Sequence, residues 1–417
     1  MVTGVECGRQ LGERKVSEYL DDGGQRDARA GDSDDLQLAV VADPDELAGL
    51  GDEWNAAAAA DPAPNVYLTW EWVHTWWTHF GAGHDLHLIV VRDSEGIVAI
   101  APFQRSRLGV GRVATRVLQR VSPDAGDYGG IVLVRRHGEA VELIFNDLEQ
   151  VLRDRWVDVV VISRLSEDDP FLSSLREALA RRSGSLAVSE MYLGGACLFT
   201  DVRDGFDLAA LAKRHRIPRR LRRLSEEQGS IDFTYHSGDD LEEGLSRLLQ
   251  LHARRWADRA SEMRGMLADP AREAFLLDAV RALDGQDWVR LLTLTAGGRL
   301  VAAELDFEYR RRLFMFKGAF EPDYGSYGPG QLLFHRVIED GVASGLDVVD
   351  WGRGDQPYKR RWANGERRQV AVTMTTPSLA GRLRAHRMRA TWALERRLGS
   401  RESADVSSDD TEEPDES

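Results

Sequence analysis

The stretch EPDYGSYGPGQLL, from Glu321 to Leu333, constrains this chain more than any other. It follows an apolar strand-like run, Arg312 to Phe320, and opens a helical pattern that reaches Ser344. Gly325, Gly328 and Gly330 stand at the spacing GxxGxG. Glycines let backbone N–H groups approach and converge on a ligand, and a helix N-terminus adds partial positive charge. A strand, a glycine turn and a helix in that order describe an anion cradle suited to a pyrophosphate. A glycine-rich turn alone is common. Here the apolar run Asp347 to Trp351 supplies the second strand of a β-loop-α-β unit.

That second strand leaves through WGRGDQPYKRRW, Trp351 to Trp362, which packs Arg353, Asp355, Tyr358 and Lys359 into seven residues. Sheets of alternating strands and helices place their sites at such strand ends. Lysine usage points the same way. Of 54 basic residues only four are lysine: Lys15, Lys213, Lys317 and Lys359. In an arginine-biased chain a lysine marks a place where a compact ammonium is wanted, and Lys317 and Lys359 flank the two loops.

Composition excludes several classes. With 417 residues, 42% hydrophobic and 29% charged, the chain is a folded protein of about two domains. No apolar run approaches the roughly 20 residues that span a bilayer, and Met1 to Lys15 lacks a signal pattern. Only Cys7 and Cys197 are present, so neither a disulfide framework nor a cysteine metal site is expected, and no metal is assigned. The expected location is cytoplasmic, with a peripheral position at the inner membrane face left open. The net charge of −15 sits mostly in the tails: −4 in residues 1–35 and −7 in residues 401–417, leaving −4 in the body. Both tails are polar and are expected to be disordered.

Patterning gives a mixed α/β (α+β) chain in two halves, 36–200 and 201–378, followed by a basic amphipathic helix, 379–400. In the first half the helix from Thr69 to Phe80 carries Trp70, Trp72, Trp76 and Trp77; a buried core helix is favoured over an aromatic sugar platform. A loop from Ser122 presents Asp127 and Tyr128. The run Lys213 to Arg223 holds seven cations in eleven residues, a patch for phosphates or polyanions or a solvated helix face. Hairpin, strand, loop, helix and strand recur in both halves, which reads as two related lobes.

These segments resemble the GNAT-type acyltransferases of the CelD class, linked to cellulose and exopolysaccharide synthesis and similar in plan to the FemABX tandem-GNAT ligases. The matching pieces are Arg216 to Arg223, Leu251 to Trp256, Ala302 to Phe307, the Tyr327 to Gly330 loop and the Gly354 to Lys359 run, with Thr69 to Trp72 and Ala99 to Phe103 in the first half. The resemblance implies two tandem GNAT-like lobes and an acetyl-CoA (acyl-CoA) co-substrate held by Gly325, Tyr327, Gly328, Gly330 and Gln331. One departure stands out: Gly325 occupies the place where the usual loop has Gln or Arg.

The implied reaction is transfer of an acyl group to an amine of a cell-envelope or glycan precursor. The base is a carboxylate, Glu304 or Asp355 with its pKa raised by burial, or an ordered water near them; Tyr358 returns a proton to the thiolate, and Lys359 holds the base or binds an anionic acceptor. Arg353, Lys317 and Trp362 are the expected substrate contacts. Glu304 alternates with Asp306 and Glu308, a pattern that equally describes three solvent-facing carboxylates. Two other readings stay open. One keeps the fold and uses aminoacyl-tRNA; the other is a scaffold docking on anionic membrane or glycan through Arg382, Arg384, Arg387 and Arg389.

Overall fold

The computed structural model describes residues 35–109, 114–182, 184–203, 205–255 and 269–388. Residues 1–34, Trp256, and the basic helix beyond residue 388 with Arg389 and the acidic C-terminal tail lie outside the described residues.

One plan runs along the chain twice. The first copy has β1 (Gln37–Val41), the helices Pro44–Ala48, Gly51–Ala60 and Trp70–Phe80, β2 (Asp85–Asp93), β3 (Gly96–Leu108), β4 (Thr115–Arg120) and a short β5 (Val132–Leu133). It ends with the helix His137–Arg153, β6 (Val159–Ser166), the helix Pro170–Arg181 and β7 (Ala187–Asp201). Helices Leu208–Arg214 and Ile217–Gln228 lead to the second copy. It has β8 (Ile231–His236), helices Leu241–Arg255 and Pro270–Asp284, β9 (Val289–Ala296), β10 (Arg299–Tyr309) and β11 (Arg312–Phe320). The helix Pro329–Ser344, β12 (Val348–Arg353), the short helix Pro357–Trp362 and β13 (Gly365–Thr375) complete it.

The strands form one mixed sheet in the order β1-β2-β3-β4-β6-β13-β7-β12-β11-β10-β9-β8, with β5 beside β3. The two copies exchange their last strands. β13 lies antiparallel between β6 and β7, and β7 pairs antiparallel with β12. The boundary expected near residue 200 therefore divides the sequence but not the sheet, and the chain from Leu36 onward clusters as one unit. Each copy contains one parallel pair, β4 with β6 and β11 with β12. Parallel neighbours need a crossover, here the helices His137–Arg153 and Pro329–Ser344.

Several elements differ from the sequence reading. The helix-forming run from Asp43 to Ala60 is divided at Gly49, which closes Pro44–Ala48 before Gly51–Ala60 begins. β7, β8 and the helix Pro357–Trp362 carry no clear sequence pattern. Most of β7 is exposed or half-buried, including Val188 and Tyr192, so hydrophobic alternation does not mark it. The tryptophan helix is core: Trp72 is fully buried and meets Tyr67, Phe275, Phe307 and Phe316 edge-on at 5.0–6.0 Å. Three of those rings belong to the second copy, so this cluster joins the lobes, each aromatic pair adding about 0.5–1.5 kcal/mol beyond its burial.

Candidate active site

β11 and β12 run side by side only from Arg312 to Phe314 against Val348 to Asp350. β11 then continues to Phe320 and β12 to Arg353 without pairing each other, so the two strands part and leave a wedge. β11 also bulges. Leu305 pairs with Lys317 and Asp306 with Met315, which leaves Phe316 as the extra residue. The Phe316 N–H donates to Asp306 Oδ1 at 3.2 Å.

The glycine loop stands at the end of β11. Pro322–Tyr327 forms a 3-10 turn, Gly328 takes φ 63° and ψ 52°, and the helix Pro329–Ser344 begins. Gly328 is required twice over. Its backbone is left-handed, and a Cβ there would fall 2.2 Å from Arg220 Nη1. At Gly330 a Cβ would meet nothing within 4 Å, so that face of the loop is open.

The basic helix Ile217–Gln228 packs on this loop. Arg220 reaches Gly328, and Arg223 lies over the Tyr327 ring at 4.8 Å. Gln228 Nε2 donates to the Tyr327 hydroxyl at 3.0 Å, and that hydroxyl donates to Glu227 at 2.6 Å. Tyr327 is thereby built into the loop's support. Gln331 is also structural, its Oε1 accepting from Trp362 Nε1 at 2.8 Å. The expectation that Trp362 contacts substrate is corrected. It is 1% exposed, stacked on His215 at 3.8 Å and packed against Trp351 and Phe334.

The reading of Glu304, Asp306 and Glu308 as solvent-facing is also corrected. Glu304 and Asp306 are buried, because β10 is an inner strand whose face here is covered by the helix Pro329–Ser344. Glu308 is half-buried and paired with Arg290 at 2.9 Å. The Glu304 carboxylate lies directly against Gly318, its cross-strand partner, where a Cβ would fall 1.8 Å from Oε2. Burial, reinforced by the charge of Glu304, pushes Asp306 well above the usual carboxylate range.

The remaining expected residues divide. Tyr358 is half-buried, its ring nearly parallel to Phe334 at 6.1 Å. Asp355 is exposed and paired with Arg360 at 3.2 Å, so it lacks the burial that a base role required. Lys359 donates to the Arg353 carbonyl at 2.7 Å. Lys317 is half-buried on β11.

A first-lobe segment completes this region. The loop after β4 is anchored by Arg120, itself buried, whose guanidinium donates to the carbonyls of Tyr128 at 2.7 Å and Ala125 at 3.1 Å. It carries Asp127 to the end of β12. There Asp127 accepts from Arg353 N at 3.3 Å and Nε at 3.1 Å, and lies against Gly352, where φ is 66° and a Cβ would fall 2.0 Å from its Oδ2. Burial pushes the Asp127 carboxyl up, but Arg353, Lys359 and Arg164 outweigh it and hold it below its ordinary value. Burial lowers both Lys317 and Lys359, with Asp127 acting against it. The sequence showed that this loop could present Asp127; that it docks on the second lobe has no local signal. The matching position of the first lobe builds no glycine cradle, since Arg136, not glycine, precedes its helix His137–Arg153.

A mixed sheet whose parallel pair parts before a glycine-led helix, with the same order of strands and helices in a first lobe that lacks the glycine turn, is a tandem GNAT-like fold. Residues 212–360 match the family described as Acetyltransferase (GNAT) domain, a span that includes both loops. Among solved structures the chain is similar to FemX, with 10% identity and TM-score 0.54 over 82% of this chain and 97% of that one. It is similar to a conserved protein of unknown function from Bacteroides thetaiotaomicron VPI-5482, with 11% identity and TM-score 0.53 over 81% and 100%. L-PGS from Bacillus licheniformis follows at 14% identity and TM-score 0.50 over 84% and 97%. At such identities these likenesses establish the fold. No curated protein matches the chain by sequence. Among the described residues no helix is long and apolar enough to cross a membrane.

Proposed function

We propose that the chain is an N-acyltransferase whose second lobe uses an acyl-CoA, acetyl-CoA in the first instance, to acylate an amine. The observation that carries this reading is the open glycine loop at the mouth of the β11/β12 wedge, with Arg220 beside Gly328. An open Gly330, a helix N-terminus and a guanidinium fit a pyrophosphate. Arg220 puts a cation where Gly325 leaves out the usual loop side chain. Gly325, Gly328 and Gly330 are the residues that would hold the pyrophosphate, with Tyr327 and Gln331 shaping the loop. When bound, acyl-CoA supplies an activated thioester.

The chain's own residues do the rest. Glu304 is the base that takes the amine proton, with Asp306, whose carboxyl burial and the Glu304 charge push up, beside it. Tyr358 is the proton donor for the departing sulfur. The products are an N-acyl acceptor and the free thiol. The proposed acceptor is an amine of a cell-envelope or exopolysaccharide precursor, a choice resting on the CelD-class resemblance.

A second reading replaces acyl-CoA by aminoacyl-tRNA. It is favoured by the exposed Arg219 and Arg222 on the helix beside the glycine loop. The two are separated by following free thiol release from acetyl-CoA against salt-sensitive binding of charged tRNA. Thiol release stimulated by amines supports the first reading. Tight tRNA binding without acetyl-CoA turnover supports the second and contradicts the first.

A further inference from the structure

We propose that the acceptor carries an anionic group, a carboxylate or a phosphate, bound at the lobe seam by Lys317, Lys359 and Arg353. The inference deepens the acyl-transfer reading of the same site by naming the class of acceptor.

Three elements of the second lobe each bring one cation to this seam. Lys317 comes from β11, Arg353 from the end of β12, and Lys359 from the helix that follows. Arg164 of β6 adds a fourth charge near Asp127 from the first lobe. The carboxylates that act on the two lysines are Asp127, which reaches both, Glu304, which reaches Lys317, and the buried Asp350, which reaches Lys359.

Asp127 is already engaged, both of its oxygens accepting from Arg353. The Lys359 ammonium is directed to the Arg353 carbonyl. Lys317 makes no hydrogen bond or ion pair with any of the described residues, and only the charges of Asp127 and Glu304 reach it. Four cations thus face three carboxylates, of which Asp350 already accepts from Tyr128 and Gly352, in a place where burial disfavours the charged form of both lysines. An unpartnered, half-buried ammonium is costly, and an anion arriving between Lys317 and Arg353 relieves that cost.

Residue choice supports the same conclusion. The chain places two of its four lysines here among 54 basic residues, and an ammonium on a flexible stem leaves room for a ligand that a guanidinium would fill. An acceptor anchored by its anion at Lys317 has its amine on the side of Glu304, the other carboxylate acting on that lysine.

The test uses the full chain and calorimetry without any acyl donor. Two matched pairs are titrated: glycine against glycinamide, and 2-aminoethyl phosphate against ethanolamine. The anionic member of at least one pair should bind tenfold or more tightly than its neutral partner, and the pair with the larger ratio shows whether carboxylate or phosphate is preferred. Lys317→Met should remove the preference, and Lys317→Arg, which keeps the charge, should retain most of it. Asp127→Asn should strengthen anion binding severalfold, whereas a purely structural role for Asp127 would weaken it. Equal binding within both pairs, no binding of either anionic probe, or a preference untouched by Lys317→Met would overturn the inference. Because no donor is present, failure of acetyl-CoA binding is a separate result that bears on the donor reading alone.

Discussion

The Tyr128 hydroxyl donates to the Asp350 carboxylate, 2.9 Å from both of its oxygens, joining residues 222 apart in sequence. Tyr128 belongs to the first lobe's loop and Asp350 to β12 at the point where it parts from β11. The bond fixes the loop that carries Asp127 to the second lobe's site. Asp350 is fully buried and also accepts from Gly352 N at 2.9 Å, with Arg312 at 3.4 Å.

Tyr128→Phe removes one donor from that buried carboxylate without changing the packing of the ring. The expected cost is about 1–3 kcal/mol, read as a lower midpoint in urea with unchanged slope. Loosening of the Asp127 loop should lower acyl transfer in the same variant. A change below about 0.5 kcal/mol would show that the seam does not depend on this contact.

Tyr358 and Asp355 should separate cleanly. Tyr358→Phe, which leaves the ring against Phe334 in place, should reduce kcat by about a hundredfold or more with little change in KM, as expected for a lost proton donor. Asp355→Asn loses only a surface pair with Arg360, of a kind worth about 0–1 kcal/mol. Steady-state kinetics of that variant should stay within about twofold of wild type.

Glu304→Gln keeps the shape against Gly318 and removes the base. Its kcat should fall by roughly 10²–10⁴ while acyl-CoA binding persists. Single-turnover thiol release reads this directly, and a variant with near-normal turnover would move the base elsewhere.

These roles show how much of the site was legible in the sequence. The glycine loop could be read because Gly325, Gly328 and Gly330 sit at a helix start, and backbone chemistry at such a point follows local rules. Glu304 was found as a candidate but its surroundings were not: alternation fixes which residues share a face of β10, not what covers that face. The seam was harder. Asp127 and Tyr128 meet Arg353 and Asp350 only because the sheet brings β4 and β12 into one layer through exchanged strands. β7, which makes the exchange possible, is mostly half-buried or exposed and carries Gly194 and Gly195 in its middle, so neither hydrophobic alternation nor propensity marks it. Trp362 was expected to contact substrate, but its helix turns the indole inward onto His215.

A pair of first-lobe carboxyls sets a pH dependence of stability. Burial, with the charges of Asp61 and Asp168 adding to it, pushes Asp169 up to about 7, and burial pushes Asp61 up to about 6. Both lie above the ordinary value of 3.8 that the unfolded chain shows. With folded values raised, their contribution is fully present below about pH 4 and is lost as the pH climbs through about 6–7. Asp169→Asn keeps an oxygen to accept the Phe171 N–H, bonded at 2.9 Å, and cannot ionise. Urea unfolding at pH 4.5 and 7.5 should show that the variant loses less stability over this interval than wild type. The difference should be about 2 kcal/mol, roughly half the full shift at ~1.4 kcal/mol per unit, because neighbouring carboxyls titrate together.

The most direct measurement is calorimetric titration of the full chain with acetyl-CoA, beside Gly328→Val. The substitution forces a side chain onto a backbone at φ 63° and into the space of Arg220. The account predicts micromolar binding by wild type and a loss of at least tenfold in a Gly328→Val protein whose folding, checked by circular dichroism, is retained. Absence of binding by wild type, or equal binding by both proteins, would contradict a donor pyrophosphate on this loop.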